Sequence, residues 1–112
     1  MKNSKNSRHA PAFIMLFLSR GSNYGAALLS AMEEDLPYFM GDSAMVYRTL
    51  HDLEAEGSVE TKWLTPENGP PKKYYTLTDK GRQRLLEYEQ DIIKRRENFN
   101  YFLKSLDTMK NI

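Results

Sequence analysis
The sequence predicts an α+β fold that is mainly α, with one two-stranded hairpin and a long C-terminal helix. Three observations carry this. Apolar residues between Ala10 and Gly57 recur with a helical period in three separate segments. The period then changes to two in Val59, Thr61 and Trp63, and a second strand-like run, Lys72 to Leu77, follows a proline-rich loop. From Leu85 onward the apolar residues fall into heptads.

Taken in order, residues 1–9 are polar and basic without periodicity, which predicts a flexible basic arm. Ala10 to Ser19 reads as a compact helix, with Pro11 in the first turn, where its missing N–H is tolerated. Phe13, Ile14, Leu16, Phe17 and Leu18 surround that helix with hydrophobic surface, so it must be buried on most sides. The apolar run Ala12 to Leu18 is too short to span a bilayer. No small-residue cleavage site follows at Arg20 and Gly21, so the run reads as core rather than as a leader, and a cytoplasmic protein is expected. Gly21-Ser22-Asn23 is a turn. Tyr24 to about Leu36 is a second helix with Leu28, Leu29 and Met32 facing inward, and Pro37 blocks its continuation.

The third helix lies within G-D-S-A-M-V-Y-R-T-L-H-D-L-E-A-E-G, Gly41 to Gly57. Asp42 or Ser43 supplies a short oxygen side chain for the first free N–H groups. Gly57 stands where a left-handed stop residue belongs. Val46, Leu50 and Leu53 share one face. The opposite face carries Ala44, Met45, Arg48, Asp52 and Ala55, flanked by Tyr47 and His51. A face that is small at its N-terminal end and then offers an Arg suits entry into a DNA groove. It also suits an ordinary solvated surface.

Val59 to Trp63 and Lys72 to Leu77 form the hairpin, with Tyr75 and Leu77 directed toward the core and Trp63 either hairpin core or, less favoured, a platform for a ligand. The intervening loop, residues 65–71, holds three prolines and a glycine and cannot be regular. Thr78 caps the last helix, from about Asp79 to Leu106. Its seam is Leu85, Ile92, Phe99 and Leu106, with Tyr88, Arg95, Phe102 and Met109 as the second heptad position. Arg95 is either a register-setting polar contact or snorkels outward. A helix of ~28 residues is ~42 Å long. A domain of ~75 residues is only ~25 Å across. The helix must therefore overhang, and the simplest cover for its apolar seam is a second copy. Leu85, Tyr88, Ile92, Phe99, Phe102 and Leu106 are the expected dimerisation residues.

Charge is unevenly spread although the net charge is only +1. Residues 1–32 hold Lys2, Lys5, Arg8 and Arg20 and no acid, residues 33–56 hold seven acids against Arg48, and residues 57–84 hold six bases against three acids. Two basic regions thus flank an acidic middle, an arrangement that can meet a phosphate backbone at its edges. Helix, helix, helix, strand, basic loop, strand, long helix is the order of a winged helix-turn-helix. In that arrangement the third helix enters the major groove and the hairpin touches the backbone. The division expected is a basic arm (1–9), a winged helix-turn-helix domain (10–78) and a dimerisation helix with its tail (79–112). Arg48 and Lys73 are the leading DNA contacts, with Ser43, Met45, Tyr47, His51 and Lys72 around them.

Rival classes find less support. There is no cysteine, no Gly-rich phosphate loop, and no histidine beside a Ser and an acid, so an enzyme is not expected. His9 and His51 are the only histidines and match no metal motif, so neither metal nor cofactor is expected. A winged helix used only as a protein-interaction module is the remaining alternative. Tyr88, Phe99, Tyr101, Phe102 and Met109 either pack an interface or line a pocket for an aromatic small molecule.

The segments N-Y-G (23–25), V-Y-R-T-L-H-D-L-E-A-E-G (46–57), Trp63 and G-P-P-K-K-Y-Y-T-L-T-D-K-G (69–81) resemble the PadR-like transcriptional regulators. The resemblance covers roughly residues 10–85, and the short chain with one C-terminal helix is similar to the small subgroup. It implies a cytoplasmic dimer that represses genes from a two-fold double-stranded DNA operator and is released by a small-molecule effector. It also implies Tyr47 and Arg48 at the DNA and Lys72 and Lys73 flanking the wing. Some members of that subgroup hold flat aromatic drugs between Trp residues of paired C-terminal helices. Ile92 stands at about that place here, and the helix has no Trp.

Overall fold
The computed structural model describes residues 8–112, so the basic-arm reading of residues 1–9 falls almost wholly outside the described part. The order is α1 (Ala10–Leu18), β1 (Asn23–Tyr24), α2 (Gly25–Asp35), α3 (Ser43–Ala55), β2 (Val59–Leu64), β3 (Lys72–Leu77) and α4 (Asp79–Lys110). The molecule is an α+β winged helix-turn-helix with a long C-terminal helix, as the sequence predicts.

Local chemistry sets the element ends. Asp42 Oδ1 accepts from the Met45 N–H at 2.9 Å and starts α3. Gly57, at φ +85°, ends it in the left-handed region. Thr78 Oγ1 accepts from the Gly81 N–H at 3.1 Å and donates to the Gly57 and Ser58 carbonyls, so one hydroxyl caps α4 and ties it to the α3–β2 turn. A side chain at Gly81 would collide with the Ser58 carbonyl and with Leu77. The glycine lets α4 sit directly on that turn.

The core lies among α1, α2, α3 and the inner rungs of the sheet. Ile14, Met15, Leu18, Leu28, Met32, Val46, Leu50, Leu53, Val59, Tyr75 and Leu77 are all buried. The expected stripes of α2 and α3 and the inward strand residues Tyr75 and Leu77 are therefore in place.

Three readings are corrected by the packing, and two residues of the expected seam gain contacts within their own chain. The sheet has three antiparallel strands among the described residues, in the order β1-β3-β2, because Asn23 and Tyr24 pair with Tyr75 and Tyr74. A two-residue strand has no period to read. Met45 is not on the outward face of α3: it is 6% exposed and its methyl end lies over Gly41. The connector 36–42 folds across that flank of α3, burying a residue that the helical wheel leaves at the margin. Trp63 is not hairpin core but 66% exposed. It shares a face with Val59 and Thr61, yet its rung, opposite Lys73 and toward the loop end of the hairpin, lies outside the core cluster that takes in Val59, Tyr75 and Leu77. Leu85 and Tyr88 are half-buried against the core of their own chain, because the first turns of α4 lie over α1.

The remaining length of α4 runs clear of the domain. Ile92, Phe99 and Phe102 are exposed, as are Tyr101, Leu103 and Met109, while Leu106 is half-buried. The molecule measures 64 Å along its longest axis and 29 × 27 Å across. Arg95 Nε donates to Asp91 Oδ2 at 2.9 Å, one turn back.

Candidate nucleic-acid interface
The burial of Val46, Leu50 and Leu53 turns the other side of α3 to solvent. Ala44, Tyr47, Arg48, His51 and Ala55 are exposed there, and Ser43 is exposed at the first position of the helix. The face is narrow and small at its start, with the Arg one turn in. Arg48 makes no ion pair among the described residues; the neighbouring Asp52 does not hold it.

The two flanks of α3 are built differently. On the flank toward the wing, Tyr47 rests its ring on Gly25, and any side chain at Gly25 would strike that ring. This contact joins two sequence segments that are 22 positions apart. Tyr24, Gly25, Ala26, Tyr47, Lys72, Lys73 and Tyr75 surround an open hollow of about 440 Å³. Tyr24 makes no side-chain cap bond to the start of α2, and Gly25 and Ala26 of its first turn line the same hollow. Lys72 Nζ sits 4.2 Å from the centre of the Tyr24 ring, a cation–π contact that leaves its charge unbalanced. A hydroxyl, an ammonium and a helix N-terminus converging in one hollow make a suitable seat for a phosphate.

Lys73 is placed otherwise than its sequence position indicates. Its Nζ lies 3.1 Å from Glu54 Oε1, and Glu54 Oε2 accepts from the Thr61 hydroxyl at 2.8 Å. The Thr61 hydrogen bond, followed by that of Lys73, holds the Glu54 carboxyl below the usual carboxylate range. The pair fixes the wing to α3 and answers the charge of Lys73 within the chain. Burial pushes the neighbouring Tyr75 hydroxyl up from its ordinary value.

On the opposite flank, α3 faces α1 and α4 across a groove of about 1010 Å³, lined in part by His9, Phe13, Arg48, Asp52, Ile92 and Phe99. Its floor is tied by polar contacts. Glu56 pairs with Arg84, and Arg84 Nη2 also donates to the Tyr88 hydroxyl at 3.1 Å. Lys80 donates to the Glu56 carbonyl. At the mouth, His9 Nε2 lies 2.8 Å from Asp91 Oδ2, the oxygen that Arg95 also binds. Arg95 first, and then His9, holds the Asp91 carboxyl down to about 2.

Of the residues expected at DNA, the fold gathers Ser43, Tyr47, Arg48, His51 and Lys72 on one side of the molecule. It buries Met45 and engages Lys73. Tyr24, Gly25 and Glu54 belong to the same surface, beyond the residues that the sequence pattern indicates. The N-Y-G segment offered a signal for the first two; nothing local to Glu54 points to Lys73, 19 residues away. No group of three or more metal-ligating side chains occurs among the described residues. No described helix is long and apolar enough to cross a membrane.

A sequence profile for the Transcriptional regulator PadR-like family matches residues 14–87. No curated protein matches the chain. Solved structures similar to it include Bacillus subtilis PadR in complex with operator DNA, at 28% identity and TM-score 0.67. That match covers 72% of this chain but only 46% of the Bacillus subtilis chain, so this chain spans under half of that relative's length. A PadR-like transcription factor from Bacteroides fragilis matches at 26% identity and TM-score 0.70, covering 86% of this chain and 91% of that one. A PadR family transcription regulator from Clostridium difficile shares the fold at 21% identity and TM-score 0.72, covering 85% of this chain and 98% of that one.

Proposed function
The chain belongs to the PadR-like family of transcriptional regulators, and from that premise we propose that it binds double-stranded DNA sequence-specifically as a homodimer. It acts as a repressor in the cytoplasm, on an operator with two-fold symmetry. The observation that carries this reading is the exposed face of α3, where Arg48, with no ion pair among the described residues, stands between the hollow of Tyr47 and Lys72 on one flank and the groove toward α1 and α4 on the other. Arg48 reads a base edge; the hollow takes a backbone phosphate and sets the register. The Bacillus subtilis relative bound to operator DNA supports the same use of the fold. Two copies join through the distal half of α4, where Ile92, Phe99 and Phe102 are exposed. A flat aromatic effector fits the groove between α1, α3 and α4, whose wall includes Arg48 itself. An occupant there competes with DNA for that side chain.

The test is a titration of operator and scrambled duplexes at two salt concentrations, the operator being selected from genomic fragments that the chain retains. Affinity should fall steeply with salt, as counterion release requires. Arg48→Ala should remove roughly 1–3 kcal/mol of the preference for operator over scrambled DNA. Lys72→Ala should weaken both duplexes alike and lower the salt slope by about one. Wild-type protein with neither salt dependence nor preference would leave a protein-interaction module as the function.

A further inference from the structure
The chain has seven asparagines, and only Asn68 is followed by glycine. The pair lies in the loop of the wing. The strand ladder ends at Leu64 and Lys72, so residues 65–71 close the hairpin without it. Asn68 and Gly69 are both exposed, and nothing lies within 4 Å of where a Gly69 side chain would begin. The Gly69 N–H finds no backbone partner among the described residues. The other described asparagines are placed differently, because the N–H that follows each of them is engaged. Tyr24 donates to the side chain of Asn23 itself at 3.0 Å. Asn98 and Asn100 lie inside α4, where the next N–H is bonded within the helix. Ile112, after Asn111, donates to the Met109 carbonyl. Asn68 alone among them precedes a backbone nitrogen that is unhindered, unbonded and in water.

We propose that Asn68 is a site of spontaneous deamidation, and that the carboxylate formed there weakens the hold of the wing on DNA. Hydroxide takes the proton of the Gly69 N–H, and the nitrogen attacks Asn68 Cγ. The new N–Cγ bond closes a succinimide ring. The Cγ–Nδ2 bond breaks, and Nδ2 leaves as ammonia with a proton from water. Water then opens the ring at either carbonyl and leaves an aspartyl or an isoaspartyl residue. The net change is amide plus water to carboxylate plus ammonium, with nothing oxidised or reduced.

The chemistry stands by itself; its effect rests on the DNA-binding reading above. Glu67 is the one charged residue of 65–71, so conversion takes the loop from −1 to −2. Lys72, which follows the loop directly, lines the hollow that receives a phosphate. The added carboxylate opposes that lysine and repels the phosphate. A charge about 10 Å away through water alters affinity about two-fold for each copy. The salt slope should fall by less than about one.

Wild-type chain is aged in mildly alkaline buffer, one sample folded and one unfolded in urea. Trypsin releases residues 63–72 as one peptide, since Lys62 and Lys72 bound it. Its mass reports replacement of the amide by a carboxyl group. Asn68 should convert in the folded chain as fast as in the unfolded one, while Asn98 and Asn100 stay intact in the folded chain. Asn68 that stays intact in the folded sample overturns the site, whatever happens in urea. The effect is read by titrating a mixed-sequence duplex at two salt concentrations. Asn68→Asp should bind about two-fold more weakly per copy than fresh wild type, with a lower slope. Asn68→Gln keeps the amide but closes the ring poorly, so it should bind like fresh wild type and lose nothing on ageing. Equal binding by Asn68→Asp and fresh wild type overturns the effect and leaves the DNA-binding reading standing. An equal loss on ageing by Asn68→Gln and wild type also overturns it. Fresh wild type that binds no duplex overturns that reading and the effect together, while the peptide mass still decides the site.

Discussion

The two halves of α4 carry one heptad seam and meet opposite fates. In the proximal half, Leu85 and Tyr88 pack against the domain, Gly81 lies on the Ser58 carbonyl, and Lys80 and Arg84 bind Glu56. In the distal half, Ile92, Phe99, Phe102 and Met109 stand in solvent. The pattern of residues is the same; what differs is whether the chain itself supplies the opposing surface. A seam thus reports which side chains share a face and leaves open what covers it. The same contrast holds among the charges of the reading surface. Lys73 is answered by Glu54, and Arg48 is answered by nothing among the described residues.

The sharpest way to break the contrast is to make the distal seam polar. Covering an aromatic ring contributes on the order of 2–3 kcal/mol, and each ring counts twice in a symmetric pair. Phe99→Asp with Phe102→Asp should convert a dimer to monomers in sedimentation while leaving the domain folded by circular dichroism. A monomeric wild-type chain at micromolar concentration would remove the partner from the distal half.

A smaller effect is expected at the proximal joint. Gly81→Ala places a methyl against backbone that cannot move aside, which should cost about 1–3 kcal/mol. For a domain of this size each kcal/mol lowers Tm by roughly 4–8 °C. The measurement is a thermal melt. A variant as stable as wild type would mean that α4 is not seated on the α3–β2 turn.

Smaller again is the change expected from the answered charge. Glu54→Gln removes the partner of Lys73 and should free its ammonium for phosphate, raising the salt slope of DNA binding by about one. An unchanged slope would show that Lys73 already leaves Glu54 when DNA arrives.

The smallest effect concerns Asp91, which marks the border between the two halves. Its carboxyl is held at about 2, below its ordinary 3.8, by Arg95 and then His9. A depressed carboxyl stabilises the fold above its unfolded value and loses that contribution as pH falls through the folded one. Wild type should melt slightly above Asp91→Asn at neutral pH, and the difference should vanish between pH about 4 and about 2. A difference that persists at the acidic end would assign it to packing.

Much of this was legible in the sequence, and the boundary between legible and illegible has a physical cause. Apolar period located α1, α2, α3 and the hairpin, because side-chain direction is a property of each element alone. The roles of Gly57 and Thr78 at element ends were readable for a related reason: capping acts between neighbours in the chain. So was the overhang of α4, which follows from its length. Arg48 was legible as outward because the stripe opposite it had to be buried. Tertiary structure alone decided the rest. Met45 is covered by the connector before α3, Lys73 is held by a carboxylate 19 residues away, and Trp63 lies on a rung of the hairpin to which the core does not extend. Pairing with β3 made a strand of Asn23, expected in a turn, and of Tyr24, expected at the start of a helix. In each case the deciding neighbour comes from another element, and the distance between elements is set by how the whole core packs.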